Sequence, residues 1–172
     1  MRKRLSRCCS VTLYVVVTII SFASFSLAQD SNTADVKAVA QQYYNEIQNQ
    51  PDLDLASEAM TALLDPEFVF YTPNNPTPET GLEAHLEFLQ EHVQGFPDGF
   101  FTIEEMIAEE NVVAARWTFT GTNDGVFIGI PASGNSVAFW GMDLLRLDEE
   151  GHITEVRRYF DVLSLARQID AL

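Results

Sequence analysis

The chain has 172 residues, 47% of them apolar and 20% charged, which suits one ordinary domain and is too apolar for a disordered one. Lys and Arg number 10 against 25 Asp and Glu, a formal net charge of −15. That balance leaves no basic surface to neutralise phosphates, so it argues against nucleic acid and against anionic lipid head groups as partners.

Arg2, Lys3, Arg4 and Arg7 open the chain, and an apolar run follows over residues 11–27. Ser26 and Ala28 place small residues at the −3 and −1 positions before Gln29. This is the pattern of a secretory signal peptide cut after Ala28. Residues 1–28 are therefore predicted to be an address and residues 29–172 one secreted or periplasmic domain, without membrane contact after cleavage. The run is also nearly long enough for an N-terminal membrane anchor, and that alternative stays open. Cys8 and Cys9 are the only cysteines, so the domain beyond has no disulfide and no thiol nucleophile.

Apolar residues recur at three and four over residues 35–50, predicting a first helix through Val36, Val39, Ala40, Tyr43, Tyr44 and Ile47. A second short helix is expected over 55–64 with Asp54 as its cap, and a short strand over 67–71. Residues 72–80 hold three prolines and two asparagines and read as a loop. Thr80 and Glu83 have the spacing of a capping box, opening a third helix to about Gln94 with Leu82, Leu86, Leu89 and Val93 inward. Beyond Asp98 the period drops to two. Strands are predicted over 100–109, 112–122, 136–147 and 152–160, with a closing helical turn or two over 163–169. Helices first and a curved antiparallel sheet after them is an α+β arrangement, and a bent sheet under helices leaves room for a small ligand.

Several motifs stand in a telling order: Gly81 with its helix, Phe96-Pro97-Asp98, Arg116-Trp117, Gly121-Thr122, Gly129-Ile130-Pro131, Gly141-Met142-Asp143 and Asp161-Val162-Leu163. Together they resemble the SnoaL-like polyketide (ester) cyclases of the nuclear transport factor 2-like superfamily, over about residues 34–170. The resemblance implies a cone-shaped curved antiparallel sheet packed against three N-terminal helices, often as a homodimer, with a deep apolar pocket. It implies ring closure by intramolecular aldol chemistry without metal or cofactor. The family's acid/base aspartate falls on Arg158, its assisting histidine on Asp143, and a pocket asparagine on Phe70.

The hairpin turn near Glu149-Glu150 sets Asp143 opposite residues 156–158, and opposed residues share a face. Asp143 therefore meets Arg158, or Arg157 one residue over. One reading makes Asp143 the ionisable group and Arg158 the partner of a carboxylate or enolate oxygen, since guanidinium is a planar fork of donors. The other makes them a structural ion pair. Phe70, His85 and Phe160 are the ligand-binding candidates. His85 and His92 lie about two helical turns, roughly 10 Å, apart, too far to share one metal. No nucleophile elbow, phosphate loop, zinc motif or calcium loop is present. The expected function is a cyclase-type protein holding a small, largely apolar carbonyl compound. The alternative is a non-catalytic ligand-binding or homodimeric interaction module.

Overall fold

The computed structural model describes residues 33 and 35–172, so the signal segment and its cleavage point lie outside the described residues. The first helix, α1, spans 35–48 and ends in a wide turn over Tyr43–Gln48. That turn buries Tyr43, Tyr44, Ile47 and Gln48 together, turning two adjacent tyrosines and a glutamine inward. Asn49 then clamps the helix end to the sheet: its side chain accepts from Phe101 N–H at 2.7 Å and donates to Phe101 C=O at 2.9 Å.

Helix α2 covers Leu53–Leu63. Its cap is Asp52 rather than the expected Asp54, because the Asp52 carboxylate accepts from the N–H groups of Asp54 and Leu55. Strand β1 follows directly as Leu64–Tyr71, and the two-residue β2, Glu79–Thr80, pairs antiparallel with it. That pairing takes Thr80 away from the predicted capping box. Helix α3, Leu82–Gly95, instead starts after Gly81, at φ 85° and with no side-chain cap. A positive φ is a conformation that glycine adopts without steric cost.

Strands β3 (Phe100–Glu109), β4 (Val112–Thr122), β5 (Ser136–Leu147) and β6 (Ile153–Phe160) form antiparallel neighbours, and α4, Val162–Gln168, closes the chain. Asp161 caps α4 by accepting from Ser164 N–H at 2.9 Å. The six strands run in the order β2-β1-β6-β5-β4-β3, with β1 parallel to β6. The curved, open sheet and its helices are the α+β cone expected of the chain.

The inner face is read directly from the alternation. Val113, Ala115, Trp117 and Phe119 of β4 are buried, as are Leu145 and Asp143 of β5 and Val156 and Arg158 of β6. Trp117 sits opposite Gly141. A Cβ at Gly141 would run into the Trp117 indole and the Tyr159 carbonyl oxygen, so only glycine leaves room for the ring there.

Candidate active site

Asp143 on β5 lies directly opposite Arg158 on β6. Both point inward and are 0% and 4% exposed. Arg158 Nε donates to Asp143 Oδ1 at 3.0 Å and Nη2 donates to Oδ2 at 2.7 Å. The Tyr44 hydroxyl, brought in by the wide turn of α1, donates to the same Oδ2 at 2.7 Å. The carboxylate is thus fully engaged. The guanidinium is not, since every hydrogen bond it makes among the described residues runs through Nε and Nη2. Its carbon lies 4.6 Å from the Phe101 ring centre and 5.3 Å from those of Phe70 and Trp117, within range of cation–π attraction. Burial works against this charge, but the Asp143 carboxylate outweighs it and holds Arg158 above its ordinary range.

Beside the guanidinium is a cavity of about 30 Å³. Its walls include His92 of α3, Phe101 of β3, Trp117 of β4, and Arg158 and Phe160 of β6, while Thr72 and Asn74 reach it from the β1–β2 loop. Two of these walls carry buried nitrogens without a hydrogen-bond partner, His92 Nε2 and Trp117 Nε1. A buried, unpaired polar atom costs roughly 1–3 kcal/mol, so each is a feature that calls for a partner. Burial first, and the Arg158 charge second, push His92 down to about 3, so its ring is neutral. The resemblance implied a deep pocket. The rings of Phe96, Phe101, Phe119 and Phe127 fill most of that space, and what remains suits about one or two water-sized groups.

The sequence candidates therefore divide. Arg158 and Phe160 line the cavity. Asp143 stands behind Arg158. Phe70 and His85 form a separate buried cluster, with ring centres 4.7 Å apart. His85 Nε2 is 3.5 Å from the Tyr43 hydroxyl and 3.4 Å from Gln48 Nε2, and burial pushes this ring down to about 3 as well. His85 lies seven residues before His92 on α3, where it meets Tyr43 and Gln48 of α1. Tyr44 was visible in the sequence only as one more apolar position of its helix. Its polar role depends on the wide turn, which the spacing did not disclose. Among the described residues no cluster of metal-ligating side chains is present.

With this geometry in view, the relationship of the chain to known proteins is informative. The family model of SnoaL-like polyketide cyclases matches residues 38–169. The chain belongs to the SnoaL-like polyketide cyclase family. No curated protein matches the sequence. Among solved structures, a SnoaL-like polyketide cyclase-type protein from Jannaschia sp. CCS1 superposes with a TM-score of 0.74 at 23% identity, covering 82% of this chain and 95% of its own. TsrD from Streptomyces laurentii gives 0.69 at 26% identity, covering 81% and 97%. AclR from Streptomyces galilaeus, which carries a hydroxylase designation, gives 0.66 at 24%, covering 81% and 83%. One cone thus carries differently designated activities, and function has to be argued from the site.

Proposed function

We propose that this family member binds a small, largely apolar carbonyl compound in the cone, its oxygen against Arg158, and that it performs cofactor-free acid/base chemistry of the cyclase or isomerase type. The observation that carries the reading is the free edge of a buried guanidinium beside two further unpaired nitrogens, all on the walls of one aromatic cavity. Arg158 and the Trp117 indole N–H are both donors. They suit an oxygen acceptor, and the water-poor surroundings strengthen such contacts at an oxygen that gains charge. Asp143 and Tyr44 hold Arg158 in place without touching the ligand in this reading. The cavity as it stands takes the oxygen end alone, so seating the apolar remainder requires the Phe160 ring and the Thr72–Asn74 loop, which wall the same space, to move aside.

Export after cleavage at Ala28, or retention by an N-terminal anchor, belongs to the same proposal. Among the described residues no helix is long and apolar enough to cross a membrane. Homodimer formation draws support from the outer face of the sheet, where Trp140, Met142 and Tyr159 are 69%, 46% and 55% exposed. Met142 and Tyr159 are direct cross-strand partners there.

The test is saturation-transfer NMR with acetophenone and with benzoate as probes. We expect saturable binding of at least one by the wild-type domain. A charge-free pair, Asp143→Leu with Arg158→Met, should weaken it about tenfold or more, the worth of one hydrogen bond to a charged group. Undiminished binding by that variant would overturn the reading.

A further inference from the structure

The three nitrogen-bearing groups on the cavity walls all pack on one ring, that of Phe101. The Arg158 guanidinium carbon lies 4.6 Å from its centre, the His92 imidazole stacks on it at 5.5 Å and 24°, and the Trp117 indole meets it almost perpendicularly at 5.0 Å. Asn49 pins the Phe101 backbone at both N–H and C=O, so the ring around which they gather is anchored. A space of about 30 Å³ keeps all three close to whatever one or two ligand atoms enter it.

Arg158 and Trp117 can only donate hydrogen bonds, whereas a neutral imidazole has one N–H and one bare nitrogen. His92 Nε2 is buried without a partner. Arg158, on the same walls, acts on this ring with its positive charge. Such a charge favours a lone pair, rather than an N–H, on the side turned to it. The ring also borders an outer cleft of about 220 Å³, beside Gln48, Asn49 and Asp98, where an N–H can meet water. The other acceptors near the cavity are already served. Asp143 spends its oxygens on Arg158 and Tyr44, and Thr72 and Asn74 reach solvent.

We propose that His92 keeps its proton on Nδ1 and offers the Nε2 lone pair to the cavity, so that the ligand is a carbonyl compound with a hydroxyl on the neighbouring carbon. This rests on the carbonyl-binding reading above and names the ligand class of the same site. The carbonyl oxygen accepts from Arg158 and Trp117, and the hydroxyl donates to His92. The cavity suits about one or two water-sized groups, which requires the two oxygens to be close together, as they are on adjacent carbons. A carboxylic acid has its oxygens closer still, but it is ionised at neutral pH and has no proton to give. A ketone without the hydroxyl leaves Nε2 unpaired, and a site built this way discriminates against it.

The experiment compares three ketones on the wild-type domain by saturation-transfer titration: acetophenone, 2-hydroxy-1-phenylethanone and 2-methoxy-1-phenylethanone. The hydroxy ketone should bind about fivefold tighter than acetophenone, the worth of one hydrogen bond. The methoxy ketone has the same oxygen but no proton to donate, and should gain nothing. His92→Phe should bring the hydroxy ketone and acetophenone to equal affinity. Long-range proton–nitrogen NMR of the His92 ring in the ligand-free wild type should show a protonated Nδ1 and a bare Nε2. A proton on Nε2, or a hydroxy ketone that binds no tighter than acetophenone or the methoxy ketone, overturns the assignment of His92 and leaves the carbonyl reading standing. Absence of binding by all three overturns the carbonyl-binding reading, and the ligand class named here with it.

Discussion

Two adjacent arginines on β6 make nearly the same bond and live in opposite worlds. Arg157 faces outward and forks onto Glu155 at 2.8 and 2.9 Å. Its side chain is 39% exposed, and Glu155 also receives Arg146 at 3.3 Å. Arg158 faces inward and forks onto Asp143 with 4% of its side chain exposed. Water screens the outer pair, so its contribution to stability is small. The inner pair gave up its hydration, which mutual attraction seldom returns in full. An apolar pair would fill the same space at least as well. The difference points to a use for the inner charge beyond stability, and the ligand site proposed at its free edge is such a use.

The largest expected effect comes from halving the inner pair. Asp143→Asn leaves a buried guanidinium without its counter-charge and should cost about 3–5 kcal/mol, lowering the thermal midpoint by about 10–15 °C. The double replacement Asp143→Leu with Arg158→Met should recover most of that loss, which a double-mutant cycle by urea unfolding would show. Next comes the third member of the cluster. Tyr44→Phe removes a hydrogen bond to a charged acceptor and should cost about 1.5–3 kcal/mol in the same measurement.

A pH series sharpens the contrast between buried and exposed groups further. His85 and His92 are lowered from 6.5 to about 3 in the fold, so the unfolded chain binds the extra protons. Their stabilisation is complete above about 6.5 and is lost as pH falls toward 3, at about 1.4 kcal/mol per pH unit for each ring well inside that window. Glu79 acts in the opposite sense, since its folded value is raised from 4.5 to about 7 and its contribution falls as pH rises through that range. Urea unfolding in a Glu79→Gln background should therefore show a steeper acid loss, and His92→Phe should remove about half of the histidine share. The smallest effect belongs to the outer pair: Glu155→Gln should leave the thermal midpoint within about 2 °C of wild type.

Much of this contrast was legible in the residues. Period-two alternation located the four long strands, and counting back from the Glu149-Glu150 turn placed Asp143 opposite 156–158, with 158 observed. Alternation also said that Arg157 and Arg158 point to opposite faces, but not which face is inside. That depends on where the helices pack. The parallel pairing of β1 with β6 joins strands far apart in the chain, and no local pattern reports it. The wide turn that brings Tyr44 to Asp143 is a departure from helical period within an otherwise regular stripe. Thr80 and Glu83 matched a helix start, yet strand pairing claimed Thr80 first. Glu79 lay in a stretch read as loop, so nothing local marked its pairing with Phe70. The free volume of the cone is set by how the phenylalanine rings interlock, which composition alone does not resolve.

The central claim is that Arg158, held by Asp143, offers its free edge to a ligand oxygen while its neighbour on the same strand does not. Nitrogen-15 NMR of the arginine side chains during a titration with benzoate tests this most directly. The account predicts a saturable shift of the Arg158 guanidinium signals with those of Arg157 unmoved. Movement at Arg157 instead, or saturation binding that leaves Arg158 unperturbed, would contradict it.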